Sequence, residues 1–391
     1  MTGLLARILG RLPLGWLQLV HNRMRLLAAV SGVAFANILI FMQLGFMGAL
    51  SESTKFPYLL FDTDILVYSP ETNTLGDAGT LPRRRLYQAL SVDDIASATA
   101  VYVGTLTWER EDGGTSNLRV FGIDPDAAPL RNPTILAMRD RLRLENVALL
   151  DAKTRSVPSQ LIASIAAGRP HSFETAGQTI SIEGVFDVGA GFDADGYLVV
   201  SDQTFLRLFA TRASGAPNYI FLKSKPGVDT SEVVRELRSV LPSVDTVVNT
   251  LGDTANADQS YQMTERPIGV VFGFGVIIGI MVGIIIVYQV LSTDVADHLA
   301  EYATLKAIGY RDSYFLGIVF EEALILALLG FLPGVLISIA LYGAASSATG
   351  LPIVMDMTRP LLVLAGTILM CMISGAIATR RLAAADPADL F

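Results

Sequence analysis

Two acidic residues, Glu321 and Glu322, lie side by side within a long apolar run in the C-terminal third of the chain. Ionisable groups inside a membrane-spanning helix are costly to bury, and those that occur often carry protons or bind ions. A proton relay needs a partner at matching depth, and the other apolar runs offer no histidine, lysine or arginine there. We therefore favour a structural role for this pair at the inner interface of the third span, with a proton relay as the alternative.

Other residue types that support chemistry occur without the spacing that the chemistry requires. The motifs GxxxxGK[ST], HExxH, GxSxG and SxxK are absent. The three histidines lie in separate segments, and the single cysteine, Cys371, lies in an apolar run. The aspartates of GFDADG resemble part of a calcium loop but lack its other ligands, so we interpret them as a solvated turn. The sequence predicts no catalytic residue, no metal site and no cofactor bound by this chain.

A polar segment between two apolar runs, residues 292–312, is the main candidate for contact with a partner. Its pattern predicts a helix on which Tyr302 and Lys306, four positions apart, present an aromatic ring and a cation to another protein. Gly309 is expected to end this helix as a left-handed cap. A solvated hairpin between two spans is the alternative. The candidate contact residues are Glu301, Tyr302, Leu305, Lys306, Ala307, Ile308, Gly309 and Tyr310.

The elements that position these residues are predicted to lie in a membrane. Apolar residues make up 51% of the 391 residues and charged residues only 17%. Four stretches are apolar over about the 20 residues that a spanning helix needs. The predicted spans are residues 26–50, 267–291, 313–342 and 360–379.

Glycines recur along one side of the second predicted span. Small residues four positions apart let helix backbones approach closely in lipid. The neighbouring helix can belong to the same chain or to a second copy, and the sequence leaves both open. The candidate packing residues are Gly269, Gly273, Gly275, Gly279 and Gly283.

Basic residues near the ends of the spans indicate the orientation. Arginines at 7, 11, 23 and 25 precede the first span, and Arg380 and Arg381 follow the last. The excess of positive charge on the cytoplasmic side predicts that both termini are cytoplasmic. Residues 1–25 are then an amphipathic, basic helix on the membrane surface, with a signal peptide as the alternative. Residues 380–391 form a cytoplasmic tail, and residues 343–359 a short outer loop.

Residues 51–266 are predicted to form one large extracytoplasmic domain. This block holds the whole net charge of −8, with 28 acidic and 20 basic side chains, so no basic nucleic-acid footprint is present. Alternating or continuous apolar runs indicate strands, and capped segments indicate helices, among them SVDDIASATA at 91–100. The predicted fold is α+β, in an early and a late lobe. The chain as a whole is thus predicted to be an integral membrane α-helical protein with four transmembrane helices and this domain between the first two.

A family resemblance covers the full length of this arrangement. The stretch EYATLKAIGYRDSYFLGIVFEEALILALLGFLPG resembles the region that defines FtsX/MacB-type permeases. In that family a coupling helix of the form E-x-x-x-L-[RK]-A-[IL]-G precedes a membrane helix with an E-A pair and a Gly-rich turn. The residues that match are Glu301, Leu305, Lys306, Ala307, Ile308, Gly309, Glu322, Ala323, Gly330 and Gly334. The tail RRLAAADPADLF is similar to the family's terminal segment, and VFDVGAGFDADGYLVVSDQTFLRLF looks most like DevC-type permeases.

The resemblance implies the membrane permease of a type VII ABC system. Such permeases do not pass a substrate through their helices; they transmit ATP-driven motion from a cytosolic ABC ATPase to the periplasmic domain. The implied partners are a separate ATPase that uses ATP and magnesium, a periplasmic membrane-fusion adaptor and a TolC-like outer-membrane protein. A homodimer in the inner membrane, in contact with lipid, is expected, and DevC-like relatives imply lipid or glycolipid cargo.

Two rival functions share this topology. FtsX-like subunits use ATPase-driven motion to activate a periplasmic hydrolase, and a related class extracts lipoproteins from the membrane. Capture of an adaptor or of a hydrolase by residues 51–266 would distinguish the first rival from an exporter. A stand-alone enzyme is disfavoured because the catalytic motifs are missing.

Overall fold

The chain folds into two compact units, which are described separately. The structure is a computed structural model that describes residues 14–110, 113–127 and 130–384, without the side chains at 300, 303, 307, 312 and 380–384. Residues 14–48, 270–345 and 353–384 form the helical unit. Residues 49–269 and 346–352 form the sheet unit. The predicted tail beyond 384 and the first half of the predicted N-terminal helix lie outside the described residues.

Helices and strands alternate through the middle of the chain, and long helices flank them. The helices are α1 (Leu14–His21), α2 (Arg23–Lys55), α3 (Arg84–Ala89), α4 (Pro133–Ala137), α5 (Ser159–Ala166), α6 (Asp202–Leu208), α7 (Thr230–Val240), α8 (Leu251–Thr264), α9 (Pro267–Asp297), α10 (Leu299–Ala307), α11 (Asp312–Thr349) and α12 (Thr358–Ala384). The strands are β1 (Ile65–Tyr68), β2 (Ile95–Glu109), β3 (Thr115–Ile123), β4 (Val147–Asp151), β5 (His171–Thr175), β6 (Gln178–Phe186), β7 (Gly196–Ser201), β8 (Tyr219–Ser224) and β9 (Val247–Thr250).

Among the residues that the structure describes, four helices are long and apolar enough to cross a membrane: α2, α9, α11 and α12. Their apolar side chains leave few ways to hold one helix against another except close packing and short polar bridges. Polar bridges of this kind occur inside the helical unit. The Thr367 hydroxyl of α12 donates to the Asn37 side chain of α2 at 2.6 Å, and the Ser374 hydroxyl donates to the Ile284 carbonyl at 2.9 Å. Asn37, a polar residue inside the first predicted span, is therefore a packing residue.

One nine-stranded mixed sheet organises the sheet unit, with the strand order β5-β6-β4-β7-β3-β2-β8-β1-β9. The strands of the predicted early and late lobes do not form separate sheets. Strand β7 joins them, because it pairs in parallel with β3 and antiparallel with β4. Long-range pairing of this kind leaves no local signal in the sequence.

The sheet is buried on both faces. In β1 all four side chains are buried, and they alternate between two apolar cores: Ile65 and Val67 pack into one, and Leu66 and Tyr68 into the other. Complete burial of such a side chain contributes about 1.5–3 kcal/mol. Strands of this kind appear in the sequence as continuous apolar runs, which is why β1 and β8 were predictable.

The predicted helix at 91–100 is wrong. Ser91 to Asp94 form turns, and β2 starts at Ile95. The Ser91 hydroxyl, expected to cap a helix, instead donates to the Gln88 carbonyl at 2.7 Å. The following residues pair with β8 on one side of β2, and the ladder with β3 continues from Val101 onward. Sheet pairing here overrides a capping signal of about 1 kcal/mol.

Candidate coupling site

The segment from residue 299 to residue 310, called here the coupling segment, consists of α10 and the turn that ends it. The Gly309 amide donates to the Lys306 carbonyl at 3.0 Å, and the Tyr310 amide donates to the Leu305 carbonyl at 3.2 Å. Gly309 has a φ of +105°. This pair of reversed hydrogen bonds around a left-handed glycine is a Schellman motif. The predicted cap at Gly309 is confirmed.

The end of the coupling segment presents apolar surface. Ile308 is 71% exposed and Tyr310 is 45% exposed. Glu301 is also exposed, whereas Leu305 and Lys306 are half-buried. An exposed isoleucine and tyrosine beside a rigid turn form a small patch of the kind that interfaces bury. The side chain of Ala307 lies outside the described residues.

Tyr302 differs from its predicted role, because its ring is not presented outward. It is 2% exposed, and its ring packs against that of Phe315 of α11 at a centroid distance of 5.5 Å. Its hydroxyl donates to the Gln18 side chain of α1 at 3.2 Å. Burial raises the pKa of Tyr302 above its usual value. Tyr302 therefore anchors α10 inside the helical unit, and the pattern of four-residue spacing did not show which side of the helix is covered.

A cluster of acids lies close to this anchor. Glu322 of α11 has no exposed surface, and Asp294 near the end of α9 is almost as deeply buried. Asp294 Oδ2 and both carboxyl oxygens of Glu322 have no hydrogen-bond partner among the described residues. On the α1 side the fit is tight, because a Cβ at Gly15 would lie 2.9 Å from the Cγ of Glu322.

Arg25 connects the start of α2 to the end of α9. Its guanidinium donates to Asp294 at 3.3 Å and also to Asp297. Contacts at this site therefore involve four helices besides α10: α1 through Gln18, α2 through Arg25, α9 through Asp294 and α11 through Phe315.

The comparisons with known proteins bear on both units. The model of the MacB-like periplasmic core domain matches residues 26–240, more than half of the chain. The model of the FtsX-like permease C-terminal region matches residues 273–387, which include the coupling segment. The chain belongs to the FtsX/MacB-like permease family.

Two solved structures are similar to part of this permease. The periplasmic region of MacB from Actinobacillus actinomycetemcomitans is 13% identical, with a TM-score of 0.34, and the match covers 51% of this chain and 93% of that one. The extracellular domain of the ABC-type transporter YknZ from Gram-positive bacteria is 14% identical, with a TM-score of 0.33, over 46% of this chain and 92% of that one. At these scores the family assignment rests on the two family models. Among curated proteins no match was found.

Of the five glycines predicted to pack in the permease's second span, three face other helices of the same chain. A Cβ at Gly275 would overlap the Gln43 side chain, and one at Gly279 would lie 2.9 Å from Ile40, both on α2. A Cβ at Gly283 would overlap Met370 of α12. Gly273 borders open space, and Gly269 lies against the backbone at residues 262 and 263 just before α9.

Sequence reasoning missed Arg25, Gln18 and Gly15 as parts of this site. Arg25 served only to orient the chain, and the other two lay in an amphipathic segment assigned to the membrane surface. Their partners are more than 260 residues away in the sequence. Gly15, a small residue in a helix of larger apolar ones, was the one usable signal for close helix packing.

Proposed function

We propose that this chain is the permease subunit of a type VII ABC export system. In this proposal α2, α9, α11 and α12 cross the inner membrane, both termini are cytoplasmic, and the sheet unit is periplasmic. A separate cytosolic ABC ATPase, which uses ATP and magnesium, docks on the coupling segment. Its motion passes to the periplasmic domain and drives export, with lipid or glycolipid as the cargo class.

One observation carries the proposal: a single chain joins a MacB-like periplasmic core domain to an FtsX-like permease segment. The coupling segment adds support. It combines a patch around Ile308 with a buried anchor at Tyr302, so that a push on the exposed end is delivered to packed helices. Because the sequence has no GxxxxGK[ST] motif, the proposal assigns ATP hydrolysis to a separate partner protein.

The further partners in the proposal are a periplasmic adaptor, a TolC-like outer-membrane protein and a second copy of the permease. Lipid covers the outward apolar residues of α9, such as Val271, Phe274 and Ile278, which are all more than half exposed. The closer likeness to DevC-type permeases also remains a prediction.

ATPase stimulation tests the proposal. The full chain in lipid nanodiscs is mixed with a candidate cytosolic ABC ATPase from the same organism, and ATP hydrolysis is measured with and without the chain. We expect stimulation by the wild-type chain. Ile308→Asp places a charge in the interface and should cost about 2 kcal/mol or more, which weakens the complex by about thirtyfold.

Val244→Asp is the matched control, because Val244 is a β-branched residue that is 85% exposed in the sheet unit. It should stimulate like the wild type. Equal stimulation by the wild type and both variants would contradict docking at the coupling segment. Capture of a hydrolase instead of an adaptor by the full chain would favour the FtsX-like regulator over the exporter.

A further inference from the structure

Two segments of the sheet unit flank its strands in the sequence, one before β1 and one after β9. The entry stem, residues 49–60, includes the end of α2 and a turn of 3-10 helix at Phe56–Leu60. The exit stem is α8, which leads into α9. Both stems lie within the sheet unit, and side chains bond them directly. The Tyr58 hydroxyl donates to Asp258 Oδ2 at 2.9 Å, and the Gln259 side chain donates to the Ser51 hydroxyl.

Asp258 is the centre of this junction. Its Oδ2 also accepts the Leu75 amide at 2.9 Å, so that it ties the exit stem to the loop that follows β1 as well as to Tyr58. Asp258 is only 5% exposed. Its other oxygen, Oδ1, has no hydrogen-bond donor among the described residues. An ionised carboxylate in this place is therefore only half compensated, which is costly in a buried site.

The neutral form of Asp258 avoids that cost. Burial raises the pKa of Asp258 to about 6, although the hydrogen bonds from Leu75 and Tyr58 oppose the rise. Other titratable and charged groups face the site from the sheet, the loops and the end of the exit stem. These groups are Tyr58, Tyr68, Asp77, Arg119, Asp193, Tyr197, Tyr219 and Arg266.

A small cavity gives the carboxyl access to water. It has a volume of about 30 Å³ and is lined by Ser53 and Thr54 of the entry stem and by Gln262 and Asp258 of the exit stem. A polar cavity larger than about 10–15 Å³ can hold a water molecule. Asp193, which is partly exposed and also lines the cavity, marks its rim. Protons can therefore reach Asp258 without unfolding of the domain.

We propose that Asp258 and this cavity form a proton-binding site that fastens the exit stem to the entry stem. With the proton bound, the two stems stay closed around a neutral carboxyl. Release of the proton leaves a buried charge, which favours opening of the stems toward water. The sign follows from linkage: the closed state binds the proton more tightly than the open state, so opening becomes easier as the pH rises from about 4 to 6.

The proposal that Asp258 binds a proton does not depend on any assumption about transport. Its consequence for export rests on the proposed function: both stems lead to the helices that would carry the motion, so that looser stems would transmit less of it. The periplasm would then set the efficiency of transmission through its pH.

Hydrogen exchange on the full chain, in nanodiscs and without any ATPase, tests the proton site. Amide exchange of residues 56–60 and 251–264 is measured at pH 5 and pH 7 and corrected for the intrinsic pH dependence of exchange. From the pKa of about 6 in the closed state, we expect the opening constant of the wild type to be about tenfold larger at pH 7 than at pH 5. Asp258→Asn, which mimics the neutral form, should remove the difference.

Two further variants make the test specific. Tyr58→Phe removes a hydrogen bond that favours the ionised form, so the pH at which opening levels off should move upward. Asp253→Asn, in the exposed first turn of the same helix, should keep the tenfold difference. The proposal is overturned if the wild type shows no pH dependence in these segments, or if Asp258→Asn keeps it while β2 and β3 stay protected. If Asp258→Asn does not fold, an unmoved profile in Tyr58→Phe overturns it.

Discussion

Substitution of Gly309 by alanine should loosen the coupling segment without any steric clash. A Cβ at this position would have no heavy atom within 4 Å among the described residues. The cost comes only from the backbone, because a φ of +105° is strained for any residue with a Cβ. That strain is about 1–2 kcal/mol. This strain weakens the two hydrogen bonds of the cap, which join Gly309 to Lys306 and Tyr310 to Leu305.

The magnitude sets what should be observed. A loss of 1–2 kcal/mol corresponds to a 5- to 30-fold larger opening constant. We expect the amides of Gly309→Ala at 309 and 310 to exchange faster by this factor, whereas the strands of the sheet unit keep the wild-type rate. The measurement is hydrogen exchange of the full chain in nanodiscs. With the partner ATPase present, hydrolysis should become uncoupled from export in Gly309→Ala and also in Leu305→Ala.

Two variants check the reasoning. Gly273→Ala also borders open space but lies inside a helix, so the same methyl group should stabilise α9 by about 0.5–1 kcal/mol. Gly309→Asn should recover part of the cap, since asparagine tolerates the left-handed conformation better than alanine. Unchanged exchange at the cap in Gly309→Ala would refute the assignment of strain to this position. Equal losses in Gly309→Ala and Gly273→Ala would show that backbone conformation is not the cause.

Two buried acids give further predictions. The Glu322 carboxyl is buried without a hydrogen-bond donor among the described residues. Glu322→Gln replaces it with a neutral amide and should raise the stability of the helical unit by about 1 kcal/mol in thermal unfolding. Glu301→Gln on the exposed surface should leave the stability unchanged. A lower melting temperature in Glu322→Gln than in Glu301→Gln would count against this account of the cluster. The two carboxylate oxygens of Asp151 accept hydrogen bonds from three backbone amides. Asp151→Asn leaves one of these donors without an acceptor and should destabilise the sheet unit by about 1–3 kcal/mol. Asp187→Asn, at an exposed position, should leave the stability unchanged. Equal denaturation midpoints for the last two variants would argue that the Asp151 bonds contribute nothing.

Local signals in the sequence were sufficient to predict elements whose structure depends mainly on their own residues. The four apolar stretches predicted helices long enough to cross a membrane, and those helices are present, although all four extend beyond the predicted spans. The glycine after Ile308 predicted the end of α10, because a left-handed cap depends only on the residues of that turn. Continuous apolar runs predicted β1 and β8, since both faces of these strands are buried.

Contacts between residues far apart in the sequence were decided by tertiary structure. Short-range rules predicted a helix at 91–100, but pairing with β8 and β3 makes a strand from Ile95 onward. They also predicted that Tyr302 faces a partner, but contacts with α11 and α1 bury its side chain. Arg25 meets Asp294 across 269 positions, and Tyr58 meets Asp258 across 200. A capping signal or a four-residue spacing is worth at most about 1 kcal/mol, whereas burial of one large side chain is worth two or three times as much. Local sequence therefore determines those elements that depend on their own residues, such as the apolar helices and the cap at Gly309. Only packing determines which side chains are covered, which charges meet and whether a segment such as 95–100 becomes a strand.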